Sequence, residues 1–179
     1  MIQIKNAAEL QKMRKACAIS AAALKAGGEA IEPGITTAEI DKIIYDFIVR
    51  HGARPNFLHL YGFPATACIS VNDTVIHGIP SKQQQIRPGD IVSIDTGCKI
   101  DGFNGDNACT YACGKIDLEA QRLLDVTKES LHRGIEMARG GNRVGDIGHA
   151  VQTYVEENGF SVVRSFVGHG VGKELHEDP

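Results

Sequence analysis

Two aspartates in neighbouring apolar segments are the residues of this sequence that most clearly indicate chemistry. Asp95 lies in the segment DIVSIDTG and Asp106 in FNGDNACTY, and a short turn that contains Asp101 and Gly102 joins the two segments. This pattern predicts a β-hairpin. If the loop is centred just before Asp101, the two aspartates lie opposite each other. If Asp101 and Gly102 are the whole loop, the aspartates lie one diagonal apart.

Both registers of this hairpin place the two carboxylates on the same face, because side chains alternate between the two faces of a strand. Two anions side by side on a largely buried sheet repel each other and lose hydration. A positive charge between them would offset both costs. The pair therefore predicts a bound cation, for which a divalent metal ion is the natural candidate.

Three histidines lie where they suit a site beside these aspartates. His77 follows a predicted strand in VIHGIP, His169 is flanked by glycines, and His176 follows in LHEDP. One such histidine alone is about as often structural as functional, and the other four histidines of the chain are interpreted as structural. Three of them beside an aspartate pair favour a site. Carboxylate and imidazole ligands together suit Mn, Fe(II), Co or Zn in a paired-metal site.

Helical and strand-like segments follow one another along the chain and predict a mixed α/β (α+β) fold. The second helix can be capped by Thr36 or Thr37 and ended by Gly52, and the first is expected to end at the pair Gly27-Gly28. The predicted helices are 7–26, 37–51, 117–138 (less its first residue or two) and 144–158, and the predicted strands are 67–72, the 90–113 hairpin and 161–168.

A weak internal repeat relates the two parts of the chain. A shift of 107 positions overlays the second helix of each helix pair, with the matches Gly34 on Gly141, Ile40 on Ile147 and Gly52 on Gly159. The order of elements also repeats. We expect one catalytic-type domain over 1–179, with a first pseudo-repeat at about 1–114 and a second at about 115–179. The second is expected to be incomplete, because its matching strands would fall beyond residue 179.

Composition and charge argue against several classes of protein. The net charge is −3, the pI is about 6.1, and lysines and arginines form no run that would indicate a nucleic-acid surface. The sequence has no apolar stretch of membrane-spanning length and no signal-peptide core. Five cysteines, an odd number without a C-x-x-C pair, indicate free thiols in a reducing compartment. These features predict a cytoplasmic protein with no membrane or direct nucleic-acid partner.

Three motifs together give the chain a specific resemblance. SVNDTVIHGIP, RPGDIVSIDTGCKIDGFNGDNACTY and FVGHGVGKELHEDP are similar to motifs of the type I methionine aminopeptidases, in the bacterial-type form. The last motif is shared with aminopeptidase P and prolidase, whereas the ND-x-V-x-HGIP element is the part typical of type I methionine aminopeptidases. The resemblance extends over the whole chain and implies the pita-bread fold, in which two pseudo-symmetric α/β halves close over a metal site.

The resemblance also implies roles for individual residues. Asp95, Asp106 and His169 match three of the family's metal ligands, and His77 and His176 match residues that hold the substrate and assist catalysis. Two further ligands of the family, both glutamates, belong to its last third and have no counterpart in residues 1–179. The complete enzyme is expected to hold two divalent metal ions (Co, Mn, Fe(II) or Zn), and this chain one or none.

The same resemblance implies a methionine pocket and a set of partners. The pocket is expected to be lined by Phe57, Leu60, Phe63, Cys68, His77 and Leu175, of which Leu60 is as well explained by core packing. The expected substrate is the N-terminal methionine of nascent polypeptides at the ribosome, with a small second residue preferred, and the complete protein is expected to be a monomer.

Two other functions remain open at the level of sequence. A related dipeptidase or proline-directed aminopeptidase shares the last motif, although VIHGIP argues against it. A non-catalytic binding module of the same fold is the third possibility. The chain retains three metal-ligand positions and both substrate histidines, which argues against it. Because the second repeat is expected to be incomplete, we expect the 179-residue chain to be inactive and to expose a sheet edge and apolar surface.

Overall fold

Four α-helices and a four-stranded antiparallel sheet form the chain, of which a computed structural model describes residues 1–179. The helices are α1 (Ala7–Glu29), α2 (Thr37–Arg50), α3 (Leu118–Met137) and α4 (Val144–Glu157), and the strands are β1 (Arg54–Pro55), β2 (Ala67–Val71), β3 (Ile91–Ile100) and β4 (Phe103–Ala112). No helix is both long enough and apolar enough to cross a membrane.

The residues divide into two compact units. The first contains Met1–Ile116 together with His169–Asp178, and the second contains Asp117–Gly168 and Pro179. The division after residue 116 lies close to the boundary expected between the pseudo-repeats at 114. The segment 169–178 belongs with the first unit, which the repeat alone does not predict.

The central strand of the first unit is β3. β4 pairs with it along the whole of one edge, while β2 and the two-residue β1 share the other edge. Asp101 and Gly102 form a two-residue loop with φ angles of 51° and 83°, the left-handed conformations that a tight hairpin turn requires. Ile100 therefore pairs with Phe103, and the second of the two expected registers is confirmed.

The core of the first unit lies on one face of this sheet, beneath α1 and α2. The predicted apolar stripe of α2 is fully buried there at Ile40, Ile44 and Ile48, and Val92 and Ile94 of β3 are buried against it. Helix α2 begins at a capping box in which the Thr36 side chain accepts from the Glu39 backbone N–H and the Glu39 carboxylate accepts from the Thr36 N–H. The stripe and the cap are local signals, which explains why the sequence predicts this helix within one residue.

Helix α1 does not end at Gly27-Gly28, as predicted, but continues through both glycines to Glu29. These glycines serve close packing instead. A Cβ on Gly27 would lie 2.7 Å from Ile44 Cδ1, and one on Gly28 would clash with the Tyr111 ring. Nearer the beginning of α1, the backbone of Ala16 leaves only 2.6 Å for a Cβ on Gly105 of β4. The helix therefore packs directly on the hairpin.

Helix α4 of the second unit corresponds to helix α2 of the first unit. Helix α4 begins and ends 107 positions after α2. The Arg143 backbone N–H donates to Asp146 Oδ2 at 2.7 Å, which repeats the bond from the Thr36 N–H to the Glu39 carboxylate. The flanking glycines repeat as well, with φ angles of 97° at Gly34 and Gly141, 71° at Gly52 and 78° at Gly159. This agreement supports the internal repeat beyond its few sequence identities.

The prediction of a strand at 161–168 is wrong. Residues 161–167 follow an irregular path, because no other strand lies beside them to satisfy their backbone hydrogen bonds. Large apolar side chains are exposed on both units. On the second unit they include Leu131, Ile135, Val144, Val163, Phe166 and Val167.

Candidate active site

The two aspartates lie on the face of the sheet opposite the helix-covered core. In the observed register Asp95 pairs with Ala108 and Asp106 pairs with Gly97, so the carboxylates are diagonal neighbours on one face. Ile94 and Thr96, which alternate with Asp95, are fully buried on the other face. Glycine at position 97 leaves no side chain directly opposite Asp106.

Burial raises the pKa values of both aspartates. Burial, and then the charge of Asp106, raises the pKa of Asp95 to about 7, against a smaller lowering by His169. Burial also raises the pKa of Asp106, opposed by His169 and His176. The charge of Asp95 is therefore poorly compensated in the folded chain, while that of Asp106 is compensated in part by the two histidines.

Two of the three candidate histidines lie beside this pair. His169 Nε2 is 3.7 Å from Asp106 Oδ2, and the rings of His169 and His176 meet edge to face with centroids 4.5 Å apart. The segment that carries them folds back on itself through paired backbone hydrogen bonds of 2.8 Å between Gly170 and Glu177. Asp95, Asp106, His169 and His176 thus form one cluster, whose function as a site stays a prediction.

The donors of this cluster fit a divalent metal in their chemistry. Two carboxylates with raised pKa values and one imidazole are ligands that Mn, Fe(II), Co and Zn accept. No three His, Cys, Asp or Glu side chains converge closely enough to form a finished cage for an ion. The cluster is therefore not a finished metal cage, and its role as a set of ligands stays a prediction.

The third histidine, His77, lies on the exposed loop that follows β2. The loop is fixed against β2 at Gly78, whose carbonyl accepts from the Ile69 N–H at 2.8 Å and whose N–H donates to Ser70 Oγ at 3.0 Å. A Cβ on Gly78 would clash with the Ile69 carbonyl. His77 itself has a φ of 58°, a strained backbone for a non-glycine residue and one that often accompanies function. Its role stays a prediction.

Two of the expected pocket residues lie next to the aspartates. Cys68 of β2 is buried and pairs directly with Asp95, and burial together with the Asp95 charge raises the pKa of its thiol to about 12. The buried ring of Phe57 lies 3.4 Å from the position of a Cβ on Gly97. The remaining expected residues, Leu60, Phe63 and Leu175, are half-buried in the loops beside these elements.

Sequence reasoning missed Asn104, which holds the histidine segment on the hairpin. Its side chain is 2% exposed, and its amide Nδ2 donates to the carbonyls of Gly172 and Lys173 at 2.8 and 2.9 Å. Asn104 lies two residues before Asp106 and so shares its face of β4. An amide on that face of a buried strand is the signal that could have identified it.

Asp41 was also missed. One oxygen of its carboxylate accepts from the backbone N–H groups of Thr66 and Ala67, both at 2.8 Å. Burial raises the Asp41 pKa, and these two hydrogen bonds lower it. Asp41 thereby fixes the beginning of β2, the strand that carries Cys68.

Comparison with known proteins identifies the family. The model of metallopeptidase family M24 matches residues 11–179. A methionine aminopeptidase of Clostridium perfringens is 52% identical over all 179 residues, which correspond to 72% of its own length. The chain belongs to metallopeptidase family M24.

Solved structures support the same assignment. The crystal structure of methionine aminopeptidase from Rickettsia prowazekii matches the whole chain with a TM-score of 0.97 at 38% identity, and the chain covers 72% of it. Prolidase from Pyrococcus furiosus matches 98% of the chain with a TM-score of 0.85 at 25% identity, and the chain covers 51% of it. The expected pita-bread fold and the resemblance to methionine aminopeptidases are thereby confirmed.

Proposed function

We propose that this protein, in a form that completes its metal site, removes the N-terminal methionine from polypeptides by hydrolysis of the first peptide bond. The observation that carries the proposal is the cluster of Asp95, Asp106 and His169 in a chain that is 52% identical to a methionine aminopeptidase over its whole length. The raised pKa of Asp95 and its cause support a cation at this position.

Asp95, Asp106 and His169 would hold the divalent metal. When bound, the metal would lower the pKa of a coordinated water from near 16 toward ~7, so that hydroxide is available at neutral pH. Asp95 would lose its proton as the metal binds, because a ligand carboxylate must be ionised and its pKa without metal is about 7. Metal affinity should therefore rise with pH across the neutral range.

The two remaining histidines would act on the substrate. His176 lies against the His169 ring, and an imidazole N–H at this place would donate to the scissile carbonyl oxygen as negative charge develops there. His77 would donate to the scissile amide or to a substrate oxygen. We assign both roles by the match to the family motifs and by the backbone hydrogen bonds of Gly78 and Glu177, the residues that follow His77 and His176.

The methionine side chain would lie among Phe57, Phe63, Cys68 and Leu175. A thioether makes favourable contacts with aromatic rings, and a buried thiol behaves as a small apolar group. The raised thiol pKa of Cys68 keeps it neutral, so it adds no further anion beside Asp95. This supports a pocket that selects an unbranched apolar side chain.

A proline-directed activity is the second candidate, and the comparisons disfavour it. The prolidase of Pyrococcus furiosus is 25% identical to the chain, whereas the Clostridium perfringens methionine aminopeptidase is 52% identical. We further propose nascent chains in the cytoplasm as the substrate and a monomer as the complete enzyme.

The test uses two chains and two peptides. The 179-residue chain, and the same chain extended by the C-terminal residues of the Clostridium perfringens relative, are incubated with Mn²⁺ and either Met-Ala-Ser or Ala-Pro-Ser. We expect methionine release by the extended chain alone. Release from Ala-Pro-Ser with no methionine release would overturn the proposal, and methionine release by the 179-residue chain would show that its own ligands suffice.

A further inference from the structure

We propose that the N-terminal residues 1–9 position the histidine segment 169–178 over the aspartates, with Lys5 and Glu177 as the central pair. The consequence for catalysis rests on the proposed function, whereas the consequence for the structure of the segment does not. Lys5 and Glu177 are positioning residues, since neither is expected to touch substrate.

Glu177 makes several contacts with other residues of the histidine segment. Its backbone pairs with Gly170, and its Oε1 accepts from the Glu174 N–H at 3.2 Å. A side chain on Gly172 would clash with the same carboxylate. His176 is the neighbour of Glu177 in the chain, so a displacement of Glu177 moves this imidazole directly.

Lys5 supplies the charge that Glu177 needs. The Lys5 ammonium contacts Glu177 Oε2, and the two side chains are only 17% and 6% exposed. A second pair, Lys173 Nζ to Glu9 Oε1 at 2.8 Å, and a third from the Met1 amine to Asp178 are more exposed. Exposed ion pairs stabilise little, whereas removal of one partner from a buried pair leaves an uncompensated charge. The Lys5–Glu177 pair should therefore dominate.

The N-terminal residues are themselves held in place by the scaffold that carries Asp106. Asn6 and Glu9 form a capping box that fixes the beginning of α1, and α1 packs on β4 at Gly105, the neighbour of Asp106. Asn104 of β4 holds the histidine segment at Gly172 by hydrogen bonds. Lys5 and Asn104 are thus the two least exposed attachments of the segment. The 3.7 Å approach of His169 to Asp106 depends on both.

Lys5→Met tests this inference, because it keeps the length of the side chain and removes its charge. Lys5→Arg is the conservative variant. Lys42→Met is the matched control, since Lys42 forms an exposed pair with Asp46 at 2.8 Å on α2, away from the histidine segment. Each variant is examined by amide hydrogen exchange at Gly170 and Glu177, which pair across the segment, and by Mn²⁺ calorimetry.

In Lys5→Met we expect exchange at Gly170 and Glu177 to accelerate by about tenfold or more, with core amides of β3 unchanged. We expect Mn²⁺ affinity to fall by about tenfold, at the lower end of what loss of a ligand-orienting group costs. Lys5→Arg should restore both. Parent-like exchange in Lys5→Met, or acceleration equal to that of Lys42→Met, would overturn the inference. Faster exchange in Lys5→Met than in the parent, with no Mn²⁺ binding by either, would support the inference and count only against a metal site in the 179-residue chain itself.

Discussion

The two copies of the internal repeat agree in their second helices and differ in the segments that come after those helices. Helix α2 leads into β1, β2 and the β3–β4 hairpin, which pair with one another, whereas α4 leads into residues 161–168, which form no strand. A helix satisfies its backbone hydrogen bonds within its own segment, while a strand needs a neighbour. The helical half of the repeat is therefore a local property, and the strand half appears only where partner strands are present.

Removal of a carboxylate from the hairpin of the first copy should have the largest effect. Asp106→Asn is expected to lower Mn²⁺ affinity by at least about a hundredfold and to abolish methionine release by the extended chain, because a ligand charge is lost. Calorimetry and peptide assays measure the two effects. Asp101→Asn is the matched control, since asparagine suits the same left-handed turn position. Equal Mn²⁺ affinity in the two variants would exclude the hairpin as the metal site.

Core truncation at equivalent positions compares the two copies directly. Ile44 of α2 is fully buried, while its counterpart Val151 of α4 is half-buried and packs on Gly134. Ile44→Ala should cost about 2–5 kcal/mol of unfolding free energy. Val151→Ala should cost about 1 kcal/mol, because fewer buried methyl groups are lost. Urea denaturation measures both, and equal losses would contradict the view that the first copy has the better-covered core.

The pH dependence of stability probes the face of the first copy that no helix covers. The pKa of Asp95 is about 7 in the folded chain and near its ordinary value of 3.8 when unfolded, so the folded state binds more protons between these values. Its contribution is therefore full below about pH 4 and is lost as the pH rises to about 7, by a few kcal/mol.

Asp95→Asn isolates this contribution from those of other carboxylates. In the presence of a chelator, the unfolding free energy of the parent minus that of the variant should decrease from about pH 4 to about pH 8, and excess Mn²⁺ should reduce the decrease. A difference that stays constant with pH would rule out a raised pKa at Asp95.

Substitution of the repeated glycines should have the smallest effect and an equal one in both copies. Gly34 and Gly141 share a φ of 97° and have open space where a Cβ would lie, so Gly34→Ala and Gly141→Ala should each cost about 1 kcal/mol through backbone strain alone. Gly140→Ala, with open space and without a positive φ, should cost little. Thermal unfolding can measure all three, and clearly unequal losses at Gly34 and Gly141 would weaken the repeat.

Local signals made much of the fold predictable from the sequence. The apolar stripe of α2 and its cap at Thr36 give the helix within one residue, and the turn at Asp101-Gly102 restricts the hairpin to registers of one parity. That parity was enough to place Asp95 and Asp106 on one face. Their positions in the sequence added three histidines, of which His169 and His176 lie in the cluster, and the family motifs implied the roles of these histidines.

The misses share a cause, which is contact between residues far apart in the chain. Gly27 and Gly28 resemble a helix end in the sequence, yet they remain helical because Ile44 and Tyr111 pack against them. Asn104 acquires its importance only when a segment nearly 70 residues later lies on it. The hydrophobic pattern of 161–168 suits a strand, but the segment has no strand to pair with and forms none.

The close approach of α1 to Gly105 has a consequence for how reliably the chain folds. A hairpin whose strands slipped by one position would present Asn104 or Asp106 to the backbone of Ala16, where 2.6 Å is too little even for a Cβ. A misregistered hairpin therefore fits poorly beneath the helix. Gly105 thus disfavours the registers in which the two carboxylates would lie on opposite faces of the sheet.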